Sequence, residues 1–230
     1  MRILGHFAAA VTLLCVACSG FAAGVGDLSN REAVSGLKAA LKQGSEVAVR
    51  QLALENGFFG NDRLRIPLPE SLRRVEGVMR SVGMGREADE LVLRMNRAAE
   101  AAMPEAKSLL VDAINKMSLQ DAKGILTGGD DSATQYFKRT ASVPLANRFL
   151  PIVAKAMEHV RLAEQYNQFA KRGVRLGLIK EADANLENYI TGKALDGLFL
   201  AIAEEERKIR QDPAGAASAI VSKVFGALLR

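Results

Sequence analysis

The chain has 230 residues, 49% hydrophobic and 25% charged, with 31 Lys and Arg against 26 Asp and Glu. Such a length and composition suffice for one domain with a substantial core and exclude wholesale disorder. The net charge of +5 comes from interleaved signs with no aromatic-rich basic motif, so nucleic acid is not an expected partner.

Arg2 is followed by an apolar run, Phe7 to Val16, and then by small residues through Gly26. This is the three-part pattern of a signal peptide, and the run is shorter than the ~20 residues that span a bilayer. Cleavage after Ala22 or Gly24 satisfies the small-residue rule. The expected organisation is a signal peptide over 1–22 and a single all-α domain over 27–230. A second reading ends a lipoprotein signal before Cys18, after Val16-Ala17, although Cys15 stands where such signals usually carry Leu. The expected location is therefore the periplasm, free or lipid-anchored through Cys18. No stretch after residue 30 reads as a transmembrane span. Cys15 and Cys18 are the only cysteines, so the mature domain is expected to hold together by packing without disulfides.

In chain order, Ser29-Asn30 caps a first helix with apolar residues at helical spacing from Ala33 to Leu52, closed by Asn56-Gly57, with Gly44 as a break midway. A loop through Phe58-Phe59 follows, and Pro69 is expected as the first residue of a helix running to Gly83. The third helix starts near Gly85 and is kinked or restarted at Pro104, resuming to Met117. Ser118-Leu119-Gln120-Asp121 has capping-box form and opens a short helix ending at Gly128-Gly129. The next helix begins at Asp130 or Asp131 and is expected to stop before Pro144. A long amphipathic segment then runs to Ala170, bent at Pro151. Residues 173–181 read as a connection, the one place where a short strand is conceivable. A helix from about Ala182 and a stronger one from Lys193 to Arg210 follow. Asp212-Pro213 starts a last helix. The architecture expected is all-α, one irregular multi-helix bundle.

Several stretches in this order carry a resemblance. They are LSNREAVSGLKAALKQG (28–44), IPLPESLRRVEGVMRSVGMG (66–85), MNRAAEAAMPEAKSLL (95–110), DAKGILTGGDDSATQYFKRT (121–140) and ALDGLFLAIAEEERKIRQDPA (194–214). Together they resemble an exported bacterial family known as domain of unknown function (DUF) 4197. The resemblance implies an envelope protein of a Gram-negative bacterium and supplies no catalytic residues.

Elimination narrows the chemistry. His159 is the one histidine outside the leader, on what reads as a helix face beside Glu158. One histidine and no usable thiol exclude Cys–His nucleophiles, Cys/His zinc sites and a paired Glu-x-x-His di-iron centre. No G-x-S-x-G elbow, dinucleotide loop or P-loop is present, so no cofactor is expected. At Thr127-Gly128-Gly129-Asp130-Asp131 a glycine loop opens onto a helix, but two carboxylates occupy the positive helix end and repel an anion. A capped helix junction is the first expectation there and a carboxylate site the second. Asp130 and Asp131 are weak calcium candidates, since calcium takes six to eight oxygens.

The run Glu204-Glu205-Glu206-Arg207-Lys208-Ile209-Arg210 reads as a solvated face with Glu204–Lys208 and Glu206–Arg210 pairs. Its functional alternative turns Glu204 or Glu205 inward to face Arg97 or Arg139. Asn96, Arg97 and Glu100 make a second polar patch on an alanine-rich helix, read as a structural network. Phe58-Phe59 reads as a lid folded onto the core, or as an exposed tip for lipid. The function expected is a non-enzymatic binding module whose partner is an envelope protein or lipid. The alternative is a ligand binder or enzyme using Asp131 and Glu205 as acid and base within a cluster of Asn96, Arg97, Glu100, Asp130, Arg139 and Glu204. A weaker alternative is a calcium-stabilised structural module.

Overall fold

Ala33 to Leu52 repeat their apolar positions every three or four residues, and the computed structural model, which describes residues 30–175 and 185–212, turns this stretch into one unbroken helix, α1 (Asn30–Ala53). The leader with Cys18, most of the 173–181 connection and the helix expected after Pro213 lie outside the described residues. Gly44 does not break α1. A Cβ built there would lie 3.6 Å from Glu205 Cβ and Ile209 Cδ1, so the glycine marks a close approach between two helices. Beyond α1, Asn56 takes the left-handed conformation (φ 67°) and turns the chain into the 54–68 loop.

Pro69 sits just outside α2 (Glu70–Ser81), as its N-cap rather than its first residue. In α3 (Gly85–Ala102), Ala88, Leu91, Met95, Ala98, Ala99 and Ala102 are fully buried. Pro104 restarts the helix as expected. One 3-10 turn (Met103–Glu105) separates α3 from α4 (Ala106–Lys116). The capping box is also formed at α5 (Leu119–Thr127). Asp121 N donates to Ser118 Oγ at 3.1 Å, and Ser118 N donates to Asp121 Oδ2 at 3.1 Å.

Two expectations fail in the next helix. α6 (Ser132–Met157) continues unbroken through Pro144 and Pro151, without the stop or the separate segment that proline chemistry predicts. Each interior proline costs about 3 kcal/mol. Against that, Ala133, Phe137, Ala141, Leu145, Phe149, Val153 and Met157 form a stripe at every fourth residue, none more than 2% exposed. Full burial of a large apolar side chain is worth about 1.5–3 kcal/mol, so the stripe outweighs the prolines. The chain breaks instead at Glu158-His159. His159 is therefore not on a helix face but in the left-handed region (φ 67°), at the junction with α7 (Arg161–Arg175).

The two helices expected after residue 182 are one, α8 (Leu186–Gln211), capped by Asn185 Oδ1, which accepts from Asn188 N at 2.8 Å. α8 packs on α6 and α1, and α6 packs on α3. The core is thus a four-helix centre with α2, α4, α5 and α7 around it. No strand occurs among the described residues, and the molecule is all-α.

Candidate functional site

Packing four helices leaves few interior positions for polar groups, and those that are present mark where the backbone needs help. Asn96, Glu100 and Glu206 are all at least nine-tenths buried. Each closes on main-chain amides without a partner in regular structure, those of a loop for Asn96 and Glu100 and those of a helix start for Glu206.

Asn96 and Glu100 lie one turn apart on α3 and point at the 54–68 loop. The Asn96 amide pairs with one residue of the loop in both directions: Oδ1 accepts from Ile66 N at 2.8 Å, and Nδ2 donates to Ile66 O at 3.0 Å. Glu100 Oε1 accepts from the consecutive amides of Phe58 and Phe59, at 3.0 and 3.2 Å. Its other oxygen accepts from Arg97 Nη1 at 2.6 Å, and Arg97 reaches on to Glu55 and Asn56 at 3.0 and 2.9 Å. Phe58 is completely buried, whereas Phe59 lies half-buried beneath the Arg65 guanidinium, 4.3 Å from its ring centroid. The phenylalanine pair is thus a lid at its first residue and a stacking platform at its second.

Glu206 does the same for α6. Its oxygens accept from Ala133 N and Thr134 N, both at 3.0 Å, and from Thr134 Oγ1 at 3.0 Å. Arg210, one turn on, donates to Glu206 at 2.9 Å and to Ile125 O at 2.9 Å, tying α5 to the same point. The first amides of a helix carry its positive end, so a buried carboxylate is well placed there. A cavity of about 20 Å³, the size of one water, lies between this carboxylate and α1. The buried Ser45 hydroxyl, which has no hydrogen-bond partner, lines it.

The remaining residues singled out in the sequence do not join these two centres. Asp131 occupies the N-cap position of α6 but makes no capping bond; it is exposed and accepts from Gln135 Nε2 at 2.8 Å. Asp130 is exposed beside it. Glu205 pairs with Lys208 at 2.7 Å, and Glu204 pairs with Arg63. Arg139 faces Asp121 at 3.6 Å and the Tyr136 ring, not a glutamate of α8. No hydrogen bond or ion pair joins Asp131 to Glu205 among the described residues. Nor do three or more acidic, histidine or cysteine side chains gather closely enough there to hold a metal.

The Glu206–Arg210 pair of the sequence reading forms, yet it forms inside. Glu206 stands four residues after Ile202 and seven after Phe199, on the buried stripe of α8. That period was the available signal for the inward glutamate, which its neighbours Glu204 and Glu205 obscured. In the Gly128-Gly129 corner, Gly128 is extended rather than left-handed. A side chain there would collide with Ser132 Oγ, which donates to Gly129 O at 2.7 Å.

Among the described residues four groups depart from their ordinary acidity, one of them the Arg80 guanidinium, which Asp89 and Glu76 hold above its usual value. The Ser118 hydroxyl and amide hold Asp121 below the usual carboxylate value, and the Arg80 guanidinium does the same for Asp89. Burial raises the Tyr136 phenol, whose hydroxyl donates to Ala113 O at 2.7 Å.

A family model described as "Protein of unknown function (DUF4197)" matches residues 27–226. No curated protein and no solved structure matches the chain.

Proposed function

This chain belongs to the DUF4197 family, and from that premise we propose that it is an exported, non-enzymatic helical binding module of the bacterial envelope. The observation that carries the reading is the use of the buried polar groups. Asn96, Glu100 and Glu206 each hold backbone amides with a side-chain oxygen, which fixes a loop and a helix start rather than presenting a reactive group. A body pinned in this way offers a preformed surface at low ordering cost, which suits recognition. Export is supported by the Arg2, Phe7–Val16 and small-residue pattern of the leader. Among the described residues no helix is long and apolar enough to cross a membrane.

Cell fractionation with mass spectrometry of the mature N-terminus tests the location. The chain is expected in the envelope fraction, beginning at Ala23 or Val25, or at a lipid-modified Cys18 in the anchored form. An intact Met1 terminus in the cytosol would end this reading.

A further inference from the structure

The 54–68 loop is irregular, yet it is held more firmly than its sequence requires. Glu100 holds Phe58 and Phe59, Asn96 holds Ile66, and Tyr189 Oη donates to Pro67 O at 3.1 Å. Burying polar side chains to fix one loop carries a desolvation cost that an apolar anchor would avoid. What the anchoring achieves is a defined outer face.

That face forms one wall of a groove of about 250 Å³ between residues 63–67 and α8. Arg63, Arg65 and Lys193 line it, with Asp196 as the one carboxylate among the lining residues. Arg65 is stacked on Phe59, and among the described residues no hydrogen bond or ion pair takes up the N–H groups of its guanidinium. Asp89 attracts it only from a distance and is itself bound to Arg80 at 2.6 Å. Lys193 and Arg63 do have partners, Asp196 at 3.3 Å and Glu204. Both are solvent-accessible pairs of the kind that contributes little, so a doubly charged ligand can displace them.

We propose that this groove is a binding site for a phosphate group carrying two negative charges, either free or as a phosphomonoester, including one at a lipid headgroup. The planar Arg65 fork, oriented in advance by its stacking, pairs with two phosphate oxygens, and Lys193 supplies a point charge from the opposite wall. Arg63, itself exposed, turns from Glu204 to close on the ligand. This proposal rests on the reading of the chain as a binding module, and it names the ligand chemistry.

Titration calorimetry of the purified chain with inorganic phosphate, and flotation with vesicles of phosphatidic acid in phosphatidylcholine, make the two arms of the test. Saturable binding is expected in at least one arm, weakened about tenfold or more by Arg65→Gln and by Lys193→Gln. Arg148→Gln, an exposed arginine paired with Glu105 away from the groove, serves as the control and is expected to change nothing. Binding to phosphate identifies a free phosphate or phosphomonoester; binding to vesicles alone identifies the headgroup. Arg65 is exposed, so an unchanged thermal midpoint in Arg65→Gln shows that lost binding is not lost folding. Absence of binding in both arms overturns the proposal. So does binding that Arg148→Gln weakens as much as Arg65→Gln, because the attraction would then be diffuse charge. Neither result bears on export, which fractionation tests separately.

Discussion

Glu100 and Glu206 perform the same task in two different places. Each is a buried carboxylate that holds two consecutive backbone amides and is itself held by an arginine on its own helix. Around Glu206 everything is regular and deep: its amides open a 26-residue helix, and Arg210 is 12% exposed. Around Glu100 the amides belong to a loop, and Arg97, at 30% exposed, runs outward to Glu55 and Asn56 at the surface. The difference teaches that one motif can either join core elements or fix a surface loop. Which of the two it does depends on what lies behind the amides.

The comparison predicts unequal costs. Glu206→Ala strands two helix-start amides and takes from the largely buried Arg210 guanidinium its carboxylate partner on α8, and it should lower stability by about 3–5 kcal/mol. Urea unfolding measures this as a lower midpoint with unchanged slope. Glu100→Ala should cost less, about 1–3 kcal/mol, because water can reach Arg97 and part of the loop. The effect of that variant should concentrate in residues 54–68. If the two variants cost the same, burial of the partner arginine is not what separates them.

A third carboxylate clamp, smaller and nearer solvent, sharpens the series. Asp121 and Ser118 exchange bonds at the start of α5, and removing the cap with Ser118→Ala should cost about 1 kcal/mol at neutral pH. The folded Asp121 is more acidic than its ordinary value of 3.8. Its contribution is therefore complete above that value and fades as pH falls through the depressed folded value. The gap between wild type and Ser118→Ala should narrow in the same acid range. A gap that stays constant to pH 2 would detach the cap from Asp121 ionisation.

Much of this was legible in the sequence where the signal is local. The Ser118–Asp121 box and the Pro104 restart depend on neighbours within a few residues. The Asn96, Arg97, Glu100 patch shows as polar positions on an alanine-rich helix, although Phe58 and Ile66, which it holds, lie 42 and 30 residues away. What was not legible depends on distant partners. Pro144 and Pro151 are helix breakers by their own chemistry, and only the stripe from Ala133 to Met157, packed on α3 and α8, overrides them. Glu206 resembles its neighbours Glu204 and Glu205 in composition; the period of the α8 stripe turns it inward, but the amides it holds lie on α6, more than 70 residues away. Asp130 and Asp131 drew the eye to the right corner, but the carboxylate that holds it comes from α8.

Amide hydrogen exchange on the full chain tests most directly that these buried carboxylates are pins of a binding body. In Glu100→Ala, protection should fall at Phe58, Phe59 and their loop while α6 and α8 stay slow; in Glu206→Ala it should fall across both helices. Undiminished protection at Phe58 and Phe59 in Glu100→Ala, or at Ala133 and Thr134 in Glu206→Ala, would contradict the account.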